Sequence, residues 1–126
     1  METEALNWTA ILVGTVVAFF AGWAIYSPML LGKTWAIGSR ISPEPPEQMP
    51  WMAMVMQLAG LFLLALVIGM TAQTEALITA ITAILAAAGM VMAQDAFSQK
   101  STAATIIDGG YVVIAGALMI VCQGLF

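Results

Sequence analysis

Four long runs of apolar residues, separated by short polar segments, dominate the chain. They are 19, 20, 18 and 24 residues long and cover Trp8–Tyr26, Trp51–Met70, Ala76–Ala93 and Ala103–Phe126. A helix needs roughly 20 residues to cross a hydrocarbon layer about 30 Å thick. Barrel strands instead alternate polar and apolar residues over about ten positions. The pattern therefore predicts an all-α protein, an integral membrane four-helix bundle with antiparallel neighbours.

The whole chain, residues 1–126, is predicted to be a single transmembrane domain, because four spans leave no room for a second. We place the helices at about 6–27, 50–70, 75–97 and 102–125. A cleaved signal peptide is not expected, since the N-terminus is acidic whereas the start of a signal peptide is positively charged.

The segment 28–49 is predicted to be a cytoplasmic loop with two parts. Pro28 ends the first helix, and the residues after it mix apolar side chains with Lys33 and Arg40. That composition suits a short helix lying in the membrane interface. The prolines that follow favour an extended, polyproline-like path back to the membrane. Two interpretations stay open for this loop: a plain connector, or a docking surface for a partner or another protomer.

Positive charge predicts the orientation of the bundle. The three cationic residues, Lys33, Arg40 and Lys100, all lie in the first and third loops. Short loops rich in lysine and arginine stay on the cytoplasmic side, so both termini are predicted to lie outside. Asp95 is expected in a solvated ion pair near Lys100. The predicted contacts of the cytoplasmic loops thus involve Lys33, Trp35, Arg40, Asp95 and Lys100.

Composition narrows the chemistry. With 62% hydrophobic and 8% charged residues and a net charge of −4, the chain lacks the basic face that a nucleic acid would require. It contains no histidine and a single cysteine, Cys122, so the commonest metal ligand and general base are missing. We expect no enzyme activity, no metal and no cofactor.

Small residues at helical spacing predict how the helices pack. Lipid is as apolar as leucine, so close backbone approach and polar contacts must hold a membrane bundle together. The candidates are Gly14, Ala18, Gly22, Ala65, Gly69, Gly109, Gly110 and Gly116. Such grooves serve contacts within the bundle or between protomers. The expected partners are the lipid bilayer and either a second copy of the chain or other membrane proteins.

Asp108 is the one formal charge inside the four apolar runs. An ionised carboxylate facing lipid costs at least about 2–3 kcal/mol, so Asp108 should face the bundle. Polar groups at similar depth predict an intramembrane cluster of Asp108, Gln57, Tyr26, Ser27 and Tyr111. Two interpretations stay open: a hydrogen-bonded knot that fixes helix register, or a site for a proton, a cation or a small polar ligand.

Two stretches of the sequence resemble a known family. Residues 7–8 (Asn-Trp), 26–28 (Tyr-Ser-Pro) and 32–35 (Gly-Lys-Thr-Trp) form the first, and residues 107–111 (Ile-Asp-Gly-Gly-Tyr) the second. They are similar to motifs of the bacterial membrane protein family called domain of unknown function 1761. The stretch from Asp95 to Lys100 departs from that pattern, so Asp95 inherits no role. The resemblance implies a multi-pass protein of the bacterial inner membrane and supplies no activity.

Two functions follow as hypotheses. The first is a small non-enzymatic membrane protein that serves as a structural or accessory subunit of an oligomer or a larger membrane complex. The alternative is a small oligomeric transporter or channel that uses the intramembrane carboxylate of Asp108.

Overall fold

The computed structural model describes residues 6–41 and 50–126. These ranges contain five α-helices: α1 (Trp8–Ile25), α2 (Gly32–Gly38), α3 (Trp51–Gln73), α4 (Leu77–Phe97) and α5 (Thr102–Leu125). All but α2 are long and apolar enough to cross a membrane, which confirms the predicted all-α fold and its four spans. The predictions for the acidic N-terminal end and for the prolines of residues 43–46 lie outside the described residues.

Both ends of α1 follow from its sequence. The side chain of Asn7 caps the first turn, where its Oδ1 accepts a hydrogen bond of 3.1 Å from the Ala10 amide. Such a cap satisfies one of the amides that a helix start leaves without a partner. At the other end the helix stops at Ile25 and Tyr26 is its C-cap, two residues before Pro28. The structure thus gives α1 as 18 residues, shorter at both ends than the predicted span.

Three helices end in a turn that usually requires glycine. Arg40, Glu75 and Gln99 follow the C-caps of α2, α3 and α4 with φ angles of 62°, 54° and 62°. The next amide in each case reaches back five residues, in the bonds Ile41 to Ala36, Ala76 to Thr71 and Lys100 to Asp95. This is the Schellman pattern of helix termination. The turn after α4 directs Lys100 back toward Asp95.

Helix α5 is the centre of the bundle. Helices α1 and α4 pack along it, α3 packs chiefly on α1, and α2 lies against α5 as well. Nine residues of α5 are buried, against four in α3. Since α5 meets each of the other helices, a side chain on it can reach all of them.

Helix α2 occupies the predicted interfacial segment and is held by close backbone contacts. The Gly32 amide donates to the Ser27 carbonyl at 2.9 Å, and the Ser101 amide donates to the Gly38 carbonyl at 2.9 Å. A Cβ atom on Gly38 would lie 2.8 Å from that of Ala104. The short helix is therefore seated on the start of α5.

Most of the predicted small residues lie at close contacts between helices. A Cβ atom added to the glycine would meet a side chain of a neighbouring helix at Gly14, Gly22, Gly69, Gly109 and Gly116. Ala18 and Ala65 are almost completely buried. Gly110 differs, because no atom would lie within 4 Å of its added Cβ. That residue faces outward, on the side of α5 that the other helices leave open.

Replacing Gly22 with alanine should destabilise the bundle, although alanine is the better helix former. The added Cβ would lie 2.8 Å from the Tyr111 ring, which a hydrogen bond to the Ala18 carbonyl holds in place. Overpacking of this kind costs about 1–3 kcal/mol. Thermal unfolding in detergent measures the loss.

The matched control is Gly110→Ala. Open space surrounds Gly110, so the change should leave the melting temperature equal or higher, by up to about 1 kcal/mol of helix propensity. Equal melting temperatures for Gly22→Ala and the unaltered protein would contradict the close approach of α1 and α5.

Candidate functional site

Asp108 is buried on α5 and has partners from two other parts of the chain. The Tyr26 hydroxyl donates to its Oδ1 at 2.6 Å, and the Lys100 ammonium lies 3.5 Å from its Oδ2. The residue is only 9% exposed. A hydrogen bond to an ionised group is shorter and stronger than one between neutral groups. Asp108 thus faces the inside of the bundle, as expected from the sequence.

Asp95 lies beside Asp108 and is buried as well. The Lys100 ammonium is 3.5 Å from Asp95 Oδ1 and 3.5 Å from Asp108 Oδ2, so the two carboxyl groups share one cation. Asp95 is 7% exposed, and its Oδ2 has no hydrogen-bond partner among the described residues. The sequence predicts a solvated ion pair here. The structure instead places this pair inside the protein, where one ammonium serves two carboxyl groups.

The backbone explains how one lysine reaches both acids. The left-handed conformation of Gln99 ends α4, and the Lys100 amide bonds back to the Asp95 carbonyl at 3.0 Å. Ser101 then caps α5, accepting from the Ala104 amide at 3.0 Å. Asp108 comes six residues after Thr102, about 9 Å along the helix. The stem of Lys100 covers part of this distance, and the Asp108 side chain, which on a helix tilts back toward the N-terminus, covers the rest.

Aromatic rings enclose the charged groups. The Tyr26 ring packs edge to face on Trp35 of α2 and on Tyr111 of α5, with centroids 5.2 and 5.7 Å apart. The Lys100 ammonium lies 5.4 Å from the Trp35 ring centroid, a distance at which a cation is attracted to an aromatic face. Trp35 thereby joins α2 to the cluster.

A second polar layer lies next to the first. The Tyr111 hydroxyl donates to the Ala18 carbonyl at 2.8 Å and accepts a 3.3 Å hydrogen bond from the Gln57 side-chain amide. The ring contact between Tyr26 and Tyr111 joins the two layers. We call the set Tyr26, Gln57, Asp95, Lys100, Asp108 and Tyr111, with Trp35 beside it, the polar cluster.

The remaining predicted site residues lie apart from this cluster. Ser27 donates to the Ala24 carbonyl of its own helix at 2.7 Å. Lys33 is exposed. Arg40 is exposed too, and with Lys100 it lines a surface cavity of about 600 Å³ beside the loops. Lys100 is the residue of the polar cluster that lines this cavity.

Sequence reasoning missed the partnership of Asp95 with Asp108. Asp95 and Lys100 are five positions apart across a helix end, and the pattern carried no glycine to mark a Schellman turn. The turn depends on Gln99 adopting a conformation that non-glycine residues use rarely. Its local signal is the pair of polar residues, Ser98 and Gln99, after the last apolar residue of α4.

The chemistry open to this cluster is that of carboxyl groups. The described residues hold no group of three histidine, cysteine, aspartate or glutamate side chains that would bind a metal ion. Two carboxyls, an ammonium and two phenols can exchange protons, attract a cation or hold helices together. They provide no paired nucleophile and base.

The two stretches that resemble a family meet in the polar cluster. Tyr26 and Trp35 come from the first stretch, and Asp108 and Tyr111 from the second. Residues far apart in the chain thus make one contact region between α1, α2 and α5.

Comparison with known proteins agrees with that resemblance. No curated protein and no solved structure matches the chain. A family model described as "Protein of unknown function (DUF1761)" matches residues 9–124. Because this match covers nearly the whole chain, with all of both stretches except Asn7 and Trp8, the chain belongs to the DUF1761 family.

Proposed function

We propose that the protein is a non-enzymatic subunit of the bacterial inner membrane that assembles with further copies of itself or with other membrane proteins. The observation that carries the proposal is the open first half of α3. From Trp51 to Gly60 this helix is exposed at every residue except the half-buried Met54, while its second half packs on α1 through Leu61, Ala65, Ile68 and Gly69.

A polar side chain lies in the middle of this open half. Gln57 is exposed about 9 Å beyond Trp51 along the helix axis, and one of its amide hydrogens is used by Tyr111. Ala53 and Gly60 lie on the same face of α3, four residues before and three after Gln57. Small residues around an amide side chain favour close packing of another membrane helix. We therefore assign this face, Ala53, Gln57 and Gly60, to an intermolecular contact.

The polar cluster supports a holding role within the subunit. Asp108 is bound by groups that belong to the same chain, from the end of α1 and from the turn between α4 and α5. The contact between Trp35 and Lys100 connects α2 to the same cluster. An arrangement that ties four helices together fits a knot that sets their register. The absence of histidine from the sequence is in keeping with a protein that does no chemistry.

A second function is favoured by one specific observation. The cluster has two carboxyl groups for one ammonium, and the cavity beside Lys100 reaches the loop side. A knot needs no extra acid, whereas a small oligomeric transporter or channel would use one to carry a proton or cation. Replacing Asp108 with asparagine separates the two functions: loss of ion-coupled flux with intact assembly favours transport, and loss of the bundle favours holding.

Assembly is tested by substituting the open face. Gly60→Leu should reduce the mass of the protein purified in mild detergent to that of a monomer, because the added side chain blocks close approach of a partner helix. Gly124→Leu is the matched control, since both glycines have open space within 4 Å of an added Cβ. Native mass spectrometry measures the assembly mass of both variants. A monomeric mass for the unaltered protein, without any co-purifying subunit, would contradict the proposal.

The holding role predicts an unequal effect of two lysine changes. Lys100→Met removes the cation from two buried carboxyls, and breaking a buried ion pair costs about 3–5 kcal/mol. Lys33→Met changes an exposed position, where ion pairs contribute little. Thermal unfolding in detergent should show a large drop for the first and almost none for the second. Similar midpoints for both would exclude Lys100 as a structural cation.

Orientation in the membrane follows from the proposal as well. With Cys122 replaced by alanine, cysteines are introduced singly at Thr34 and at Thr74, two exposed positions at opposite ends of the spans. An impermeant maleimide should label Thr74→Cys in intact cells and Thr34→Cys only after the membrane is opened, because the cationic loops stay inside. The reverse labelling would overturn the predicted outside location of both termini.

A further inference from the structure

We infer that Asp95 and Asp108 hold one proton between them and form a proton-binding site at the loop end of the bundle. The inference concerns the polar cluster itself. It holds whether the chain serves as a subunit or as a transporter.

Charge balance is the first argument. Two ionised carboxylates beside one ammonium leave a net charge of −1 in a place where both acids are buried. An unmatched buried charge is strongly unfavourable, and such a group takes up a proton instead. One proton makes the cluster neutral.

Hydrogen bonding is the second, independent argument. Both oxygens of Asp108 have partners, Oδ1 in the Tyr26 hydroxyl and Oδ2 in the Lys100 ammonium. Asp95 has Lys100 at Oδ1, but its Oδ2 is buried without any donor among the described residues. A buried acceptor without a donor is unfavourable, because it has lost its hydrogen bonds to water and gained none in the protein. A proton on the Asp95 carboxyl turns this oxygen into a donor, and the Asp108 carboxylate, which contacts the same ammonium, is the neighbouring acceptor.

The groups around Asp95 and Asp108 favour one bound proton and not two. Lys100 contributes the positive charge and contacts both acids. From α1 the Tyr26 phenol faces Asp108 as a donor, a bond that is strongest while Asp108 stays ionised. Tyr111 of α5 packs on Tyr26, with Gln57 of α3 behind it, and α2 contributes the neutral Trp35 ring. A second proton would remove the anion that the ammonium and the phenol both bind.

The proton has a route to water. Lys100 is 25% exposed and lines the cavity of about 600 Å³ on the loop side, together with Thr34, Arg40 and Ser101. The proton therefore exchanges with water on the loop side. The apolar spans separate Asp95 and Asp108 from the opposite side of the membrane. In the predicted orientation the site binds a proton from the cytoplasm.

The sequence offers a selective test, because Asp95 and Asp108 are its only two aspartates; the other five acidic residues are glutamates. The full chain, labelled with carbon-13 at the side-chain carboxyl of aspartate and placed in lipid nanodiscs, reports on these two groups alone. At neutral pH, infrared or NMR spectra should show one protonated and one ionised carboxyl.

Single substitutions show whether the proton needs both acids. In Asp95→Asn the remaining Asp108 faces one ammonium and should be ionised, and in Asp108→Asn the remaining Asp95 should be ionised likewise. Glu75→Gln is the control: it removes one negative charge from the turn between α3 and α4, and should leave both aspartate signals unchanged.

Several results would overturn the inference. Two ionised or two protonated aspartates in the unaltered protein would do so, as would a protonated signal that persists in either single variant. An ionised pair whose signals move with sodium or potassium concentration would assign the place to a metal cation instead. If a variant fails to fold, the count of protonated groups in the unaltered protein still decides.

Discussion

The buried charge of Asp108 is the constraint on which the loop end of this bundle depends. A carboxylate that has left water needs a cation and hydrogen-bond donors close by. Here the cation comes from Lys100 and the donor from Tyr26. The cation and the donor reach Asp108 only if three elements meet: the end of α1, the turn after α4 and the start of α5. Helix α2 joins them because its Trp35 ring contacts Lys100. One carboxyl thus sets how four elements are arranged.

That arrangement is reached through an unusual helix end. Gln99 takes a left-handed conformation, which costs a residue with a side chain roughly 1–2 kcal/mol relative to the right-handed form. The resulting turn places Lys100 over Asp95 and in reach of Asp108. Contact with both carboxyls offsets the cost of the turn. Gly22 is a similar constraint where α1 meets α5, since only a residue without a side chain lets the Tyr111 ring lie so close to α1.

The two sides of the molecule serve different purposes. Around α5 the small residues and the polar cluster pack the helices on one another, and Asp95 and Asp108 form the proton site that we infer. Along the first half of α3, Gln57 and its small neighbours remain exposed. The surface proposed for association therefore meets the polar cluster at Gln57, which donates to Tyr111 and is also exposed on the open face.

The sequence by itself determined the four spans, the family and the inward orientation of Asp108, because hydropathy, local motifs and the cost of a charge in lipid act residue by residue. Tertiary structure alone decided that Asp95 is buried against Asp108, that Ser27 bonds to its own helix, and that Gly110 faces outward. These outcomes depend on how helix ends turn and on which faces meet. Such choices are made by contacts between residues far apart in the chain, which periodicity and composition do not encode.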